Sequence, residues 1–242
     1  MKNFGLIGKN ISYSFSRKYF TEKFEKENIE AKYYNFDLNN IKQFRDVIKE
    51  TPNLSGLNVT IPYKQEIIAF LDDLAPEAKE IGAVNTIKVN GNQLIGYNTD
   101  YIGFSESFKP FLKSHHKKAL ILGTGGASKA VAYALKKLGI EYQFVSRSSG
   151  EGKLSYNDLS KEVMEEYSII INTTPVGTFP EVEENPQLPF QHLNEKHLVY
   201  DLIYNPETTQ LMARAKKQGA TVTNGLKMLQ LQAESAWKIW NN

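Results

Sequence analysis

One short stretch, Gly123-Thr124-Gly125-Gly126-Ala127-Ser128, constrains the architecture more than any other part of the chain. It follows the apolar run Ala119–Leu122 and precedes Lys129–Leu138, a helical pattern that closes near Gly139. In that strand–turn–helix setting the first glycine permits a tight turn and the second lets a pyrophosphate approach the backbone. The small third position allows close helix–strand packing. The helix N-terminus then turns unsatisfied N–H groups and a positive dipole end toward phosphate oxygens. The bland alternative is a βα turn that merely uses small residues; the correct flanks on both sides favour a dinucleotide. The next strand candidate, Tyr142–Val145, leads into Ser146-Arg147-Ser148, and Arg147 stands 22 positions after Gly125. Units that bind the unphosphorylated dinucleotide place a carboxylate near there for the ribose 2′-hydroxyl. A guanidinium fork pairs with a 2′-phosphate instead, so the pattern points to NADP over a merely solvated arginine.

The rest of the chain alternates in the same way. Phe4–Gly8, Lys32–Asp37 and Leu57–Ile61 read as strands, the last stopping at Pro62. Arg17–Asn28, the Ile41/Phe44/Val47/Ile48 face, Tyr63–Leu71 and Pro76–Ile81 read as helices. Ala83–Val89 and Gln93–Asn98 flank Asn90-Gly91-Asn92, a hairpin signal. After the glycine turn, Ser168–Ile171, Leu198–Leu202 and Ala220–Thr223 are strand candidates, with helices at Tyr156–Glu166, Glu207–Gln218 and Leu226–Trp240. The proline-bearing stretch Thr174–Asn194 reads as a long functional or mobile loop. Two βα runs separated by the polar Lys113–Lys118 predict two α/β domains. Composition matters mainly for what it excludes. With no cysteine there is no disulfide, Cys nucleophile or Cys-ligated metal, and 29 basic against 27 acidic residues do not make a nucleic-acid-gripping surface. No apolar run approaches the ~18–20 residues of a membrane span. Gly5 and Gly8 interrupt any signal-peptide core, so the expectation is a cytoplasmic protein.

Polar groups gather where the strands of the first half should stop: Ser14 and Ser16; Asn58 to Lys64; Asn85-Thr86; and Asn98-Thr99-Asp100. Ligands of open α/β sheets bind outside the carboxyl ends of the strands, so clusters distant in sequence can share one pocket. Hydroxyls and amides suit a small polyhydroxylated substrate, and Lys64 and Asp100 are able to move a proton. Taken singly, each has a duller explanation as a helix cap, a turn residue or a solvated charge. His115 and His116 are adjacent, so on a helix they would diverge, and His192 and His197 lack carboxylates at ligand spacing; no metal is expected. Trp237 and Trp240 fit one face of the last helix as packing residues.

Taken together, these motifs resemble the shikimate dehydrogenase family along essentially the whole chain. The markers are Ser14-Phe15-Ser16, Asn58–Lys64, Ala83–Thr86, Gly96–Asp100, Gly123–Ser128 and Ser146–Ser148, followed by Asn172–Gly177, Asp201–Pro206 and Asn224–Leu229 with Gln232. The resemblance implies an N-terminal α/β substrate domain and a Rossmann-like NADP-binding domain with a cleft between them. Residues 1–100 with 225–242 would form the first and 101–224 the second. It implies reversible NADPH-dependent reduction of 3-dehydroshikimate to shikimate, in the synthesis of chorismate and the aromatic amino acids, by a monomer or homodimer.

By that similarity Ser14, Ser16 and Tyr204 would hold the substrate carboxylate. Asn85, Gln232 and a Lys64/Asp100 catalytic dyad would meet the ring hydroxyls, and Thr60 would line the pocket. Lys64 would act as the general acid in the reductive direction. Gly123, Gly125, Gly126 and Ala127 would cradle the pyrophosphate, and Ser146, Arg147 and Ser148 the adenosine end. Thr173, Pro175 and Val176 would lie along the dinucleotide, with Gly225 and Met228 beside the nicotinamide; ordinary turn and core packing is the competing account of these small and apolar positions. Tyr13 and Arg17 depart from the family's usual histidine and proline, and Gly150-Glu151-Gly152-Lys153 replaces its second arginine. A quinate/shikimate dehydrogenase of broader substrate and cofactor use is the nearest alternative. Methylenetetrahydrofolate dehydrogenase and a non-catalytic NADP-binding regulator are more distant ones.

Overall fold

The computed structural model describes every residue except Tyr13, so the expectation placed on that position lies outside the described residues. The chain divides into two compact units, one of Met1–Ile102 with Gln232–Asn242 and one of Gly103–Leu231. No helix among the described residues is long and apolar enough to cross a membrane.

The first unit is built on a six-stranded mixed sheet. Its strands are β1 (Lys2–Gly8), β2 (Ala31–Asp37), β3 (Leu54–Val59), β4 (Asp73–Leu74), β5 (Thr86–Asn90) and β6 (Gln93–Tyr97), in the order β2-β1-β3-β5-β6-β4. Successive side chains of a strand face opposite ways, and β1 shows it: Phe4 and Leu6 enter one core, Ile7 the other. The Phe4 side is covered by α1 (Phe15–Lys26) through Phe20 and Phe24, and by α8 (Leu226–Asn241) through Ala233, Ala236 and Trp240. The Ile7 side is covered by α2 (Phe44–Glu50) and α3 (Pro76–Ile81) through Phe44, Val47 and Ala78.

The second unit carries a parallel sheet of β7 (Lys118–Leu122), β8 (Glu141–Ser146), β9 (Lys153–Ser155), β10 (Ile169–Asn172), β11 (Leu198–Asp201) and β12 (Thr221–Thr223). Their order, β12-β11-β10-β7-β8-β9, runs outward in both directions from the β7/β10 pair. This is the doubly wound arrangement, and its reversal point is where ligands of such sheets sit. Between the strands run α5 (Gly126–Lys137), α6 (Lys161–Glu166) and α7 (Gln210–Lys217). Phe104 and Phe108 of α4 (Asp100–Phe108) close on Tyr200, with ring centroids 5.2 and 5.9 Å away.

Four local expectations need correction. Tyr63–Leu71 is not an α-helix; only Glu66–Phe70 is helical, as a 3₁₀ stretch. Tyr63 O still accepts Ile67 N–H at 3.0 Å, but the next carbonyl, Lys64 O, accepts Val84 N–H at 2.7 Å, so a tertiary partner takes a group that a helix would use, while the Tyr63 hydroxyl is anchored on Leu38 O at 2.7 Å. Helix α4 was not foreseen, although Asn98 caps it by accepting Asp100 and Tyr101 N–H. The two- and three-residue edge strands β4 and β9 are too short to show a period. Finally, Lys113–Lys118 is not wholly solvated, because His116 is buried.

The His116 imidazole works as a turn closure. Its Nδ1 accepts Lys113 N–H at 3.0 Å and its Nε2 faces Lys196 O at 3.1 Å, which requires the neutral ring with its proton on Nε2. Burial lowers its pKa below the ordinary 6.5. The unfolded chain therefore binds this proton first on acidification. The stabilisation from His116 is complete above about pH 6.5 and is lost as pH falls through the lowered folded value. We expect the melting temperature to fall more steeply between pH 7 and 5 in the wild type than in His116→Asn; equal slopes would remove His116 from the acid response.

Candidate active site

In the first unit the strand register explains how residues far apart in sequence come together. Asn58, at the end of β3, is opposite Thr86, and Thr86 is opposite Tyr97. Because β5 runs antiparallel to β3 and β6, its start lies beside their ends. Asn85-Thr86 thus sits at a strand start, not at the strand stop expected for it, and the antiparallel turn of direction brings it to the same edge.

A buried polar network occupies that edge. Lys64 Nζ is 2.8 Å from Asp100 Oδ2, with side chains 16% and 7% exposed. The other oxygen, Oδ1, accepts Asn85 Nδ2 at 2.9 Å. Asn85 Nδ2 also lies 3.0 Å from Thr99 Oγ1 and 3.3 Å from Gln232 Oε1, while Asn85 Oδ1 accepts Thr99 N–H at 2.6 Å. Helix α8 brings Gln232 to residues more than 130 positions earlier in the chain. Lys64, Asn85, Asp100 and Gln232 therefore form one constellation: an ammonium held in direction by a carboxylate, with two amides fixed beside it.

The other first-unit residues are arranged around the end of β1. Ser14 caps α1, accepting Arg17 N–H at 3.1 Å, a bond that leaves its hydroxyl proton available to an anion. Ser16 bonds the hydroxyl of Tyr33, which donates to Asn58 Oδ1 at 2.7 Å. Asn58 Nδ2 in turn reaches Asn85 O at 3.3 Å. Burial holds the Tyr33 phenol well above its ordinary pKa, so this relay from Ser16 toward Asn85 stays neutral. Thr60 donates its N–H to Ile7 O at 2.8 Å and packs against Gly8. Arg17 is exposed.

In the second unit the glycine turn has the geometry its composition predicts. Gly123 adopts φ +106°, and a Cβ there would lie 2.8 Å from Thr173 Oγ1. Gly125 is the N-cap of α5 with no side-chain cap bond, and nothing lies within 4 Å of where its Cβ would be. The start of α5 thus has no side-chain cap and open space beside Gly125 that a larger residue would occupy, which fits a pyrophosphate. Gly126 and Ala127 begin the helix, and Ser128 is turned inward onto Gly125 O at 2.6 Å. Thr173 Oγ1 donates to Leu122 O at 2.6 Å, bracing the turn from β10. At the end of β8, Arg147 and Ser148 are exposed, and Ser146 Oγ closes onto Ser148 O at 2.6 Å. That leaves a guanidinium able to meet a 2′-phosphate. Glu151 is also exposed, in the turn between β8 and β9.

The family model described as the shikimate dehydrogenase substrate binding domain matches residues 6–87. A protein of Clostridium botulinum (strain Hall) named shikimate dehydrogenase (NADP(+)) is 40% identical over 247 residues, covering 98% of this chain and 95% of that protein. The chain belongs to the shikimate dehydrogenase family. A relative of the same name from Methanococcus vannielii is 35% identical over 98% of this chain and 90% of its own length. The crystal structure of shikimate 5-dehydrogenase from Thermus thermophilus in complex with NADP(H) and shikimate matches with a TM-score of 0.88 at 31% identity, over 99% of this chain and 93% of that one.

The remaining family-marker positions fall in the second unit. Tyr204 is 37% exposed, its phenol pKa raised by partial burial. Pro175 is exposed and Val176 half-buried. Gly225 and Met228 are buried, and a Cβ on Gly225 would collide with Leu202 O, so close packing by itself demands a glycine there. Tyr33, Asn58 and Thr99 support the network, yet no individual role was expected of them. The available signal was a tyrosine and an asparagine at inward positions of two strands that flank the same central strand.

Proposed function

We propose that the protein catalyses the reversible NADPH-dependent reduction of 3-dehydroshikimate to shikimate, as an oxidoreductase acting on a CH–OH group. The carrying observation is the 2.8 Å contact between Lys64 and Asp100, set among Asn85, Thr99 and Gln232 at one sheet edge. A ketone becoming an alcohol needs a hydride on carbon and a proton on oxygen. Bound NADPH supplies the hydride. The proton comes from Lys64, the cationic donor of the network, while Asp100 accepts a hydrogen bond from the same ammonium and fixes its direction. Asn85 and Gln232 bond the ring hydroxyls, and Thr60 lines the pocket. Ser14, Ser16 and Tyr204 hold the carboxylate by neutral donors, which orient it without burying a second full charge. In the reverse direction the neutral Lys64 amine takes the hydroxyl proton.

We assign residues 1–100 with 225–242 to the substrate and 101–224 to the cofactor. Gly123, Gly125, Gly126 and Ala127 hold the pyrophosphate, and Ser146, Arg147 and Ser148 the 2′-phosphorylated ribose. Thr173, Pro175 and Val176 flank the dinucleotide, and Gly225 and Met228 border the nicotinamide. The protein works on a small molecule in the cytoplasm, as a monomer or homodimer, without a nucleic-acid partner.

The test is shikimate-dependent reduction of NADP⁺ followed by absorbance. Turnover is expected with a KM for NADP⁺ well below that for NAD⁺. Charge-assisted bonds of about 1.5–3 kcal/mol imply that Arg147→Ala raises the NADP⁺ KM by roughly 10–100-fold and leaves NAD⁺ nearly unaffected. Absence of turnover would refute the activity; equal losses with both cofactors would take Arg147 away from the 2′-phosphate.

A further inference from the structure

The carboxyl ends of β10 and β11 carry a buried pair that the proposed reaction leaves without a role. Asn172 and Asp201 are opposite each other in the parallel register, and both have 0% exposure. Asn172 Nδ2 donates to Asp201 Oδ1 at 3.0 Å. The same Oδ1 accepts Ile203 N–H at 3.1 Å, and Oδ2 accepts the Thr209 hydroxyl at 2.7 Å. Asn172 turns its own oxygen to Thr174, accepting the N–H at 3.0 Å and the hydroxyl at 2.7 Å. One hydrogen-bonded pair thus roots both loops leaving these strands: the Thr173–Val176 segment, and the stretch from Ile203 to Thr209 that carries Tyr204. Farther out the loops are tied again, because Asn205 O accepts Phe179 N–H at 3.2 Å and the Thr178 hydroxyl at 3.3 Å.

A carboxylate is a costly choice for such a place. The three groups that donate to Asp201 are all neutral, and burial pushes its pKa up to about 6. An apolar residue would pack a strand end at far lower cost. What a carboxylate adds is two oxygens with several acceptor lone pairs, enough for donors arriving from three directions. All three of those donors belong to the strand end and loop that shape the proposed binding surface.

We propose that Asp201, through Asn172 and Thr209, is a positioning residue that holds Tyr204 and the Thr173–Val176 segment as a single body, so that losing its hydrogen-bonding side chain weakens substrate and NADPH binding together. This rests on reading Tyr204 and Thr173–Val176 as ligand contacts. Asp201 touches neither ligand itself.

A double-mutant cycle in the full chain tests it, reading the KM for shikimate, kcat, the NADPH dissociation constant and the melting temperature. A loop displaced by about an ångström is enough for Asp201→Ala to raise both the shikimate KM and the NADPH constant by roughly 10-fold. Asp201→Asn, which keeps an oxygen for Asn172 and Ile203, should return both to within about 3-fold of wild type. Tyr204→Phe alone should raise the shikimate KM. In that background Asp201→Ala should add less than about 3-fold to it, while still weakening NADPH by the full factor. If Tyr204→Phe raises the KM and the two substitutions multiply, the proposal is overturned and the Tyr204 reading stands. If Tyr204→Phe has the wild-type KM, the Tyr204 reading falls and the proposal falls with it. A lower melting temperature with both binding constants unchanged reduces Asp201 to packing and also overturns the proposal. Should Asp201→Ala not fold, Thr209→Val, which removes one donor from the same carboxylate, enters the cycle with the same expected signs.

Discussion

Replacing Lys64 by alanine should lower kcat by ~10²–10⁴-fold, the usual contribution of a positioned general acid or base, with a much smaller change in KM. The asymmetry follows from the site. On the proposed assignment ground-state binding of the substrate is shared among Ser14, Ser16, Asn85, Tyr204 and Gln232, so removing one ammonium should leave most of it in place. The proton has no such redundancy. Asp100 is buried behind Lys64, its two oxygens already accepting from Lys64 and Asn85. Without Lys64, water must deliver the proton to the forming alkoxide. Steady-state kinetics with shikimate and NADP⁺ decide the matter, and a variant with wild-type kcat would strip Lys64 of its role. A rise confined to KM would make Lys64 a binding residue and move the proton elsewhere.

The largest expected loss of stability comes from the other end of the chain. Trp240→Ala should destabilise the first unit by about 3–5 kcal/mol, the cost of emptying a large buried aromatic site. Trp240 stacks on Phe4 with centroids 4.9 Å apart and meets Phe20 at 5.2 Å, and its Nε1 donates to Ile87 O at 3.0 Å. Its indole lies on Gly56, where any Cβ would collide with it, so no neighbour can easily swing in to fill the space. Urea denaturation followed by circular dichroism reads the change; a loss under about 1 kcal/mol would mean that the site collapses and refills. Gln232 is on the same helix, two turns earlier. Loosening Trp240 should therefore raise the shikimate KM as well, a coupling between core packing and substrate binding.

Much of this was legible in the residues because the strongest signals are local. A glycine turn between a strand and a helix, or Asn-Gly in a hairpin, states its geometry within a few positions. Gly123 at φ +106° and the tight turn at Gly91 adopt what their residue types allow. The polar clusters could be gathered because strand ends share an edge. Their true order could not be read, since the antiparallel direction of β5, which brings Asn85 beside Lys64 and Asp100, is a tertiary fact. Helix α4 was hidden because Asn98 looks the same as a ligand residue and as a cap, and here it caps. Tyr63–Leu71 has helical spacing, but its Lys64 carbonyl is taken by Val84 N–H and its tyrosine hydroxyl by Leu38 O. Asp201 opens a family marker, Asp201–Pro206, but nothing in the residues states its role. A lone acid at the end of an apolar strand declares its work only when the loops on either side are in view.

The division of α8 between the two units has a consequence for biosynthesis. Residues Gly103–Leu231 are contiguous and can fold as soon as they leave the ribosome, whereas the first unit needs Gln232–Asn242 to close over Phe4, Phe20 and Phe24. The part translated first is therefore the part finished last. For the time it takes to make well over a hundred further residues, a nascent sheet has only α1 on its Phe4 face, and the area that α8 will cover stays open to solvent and to misassembly.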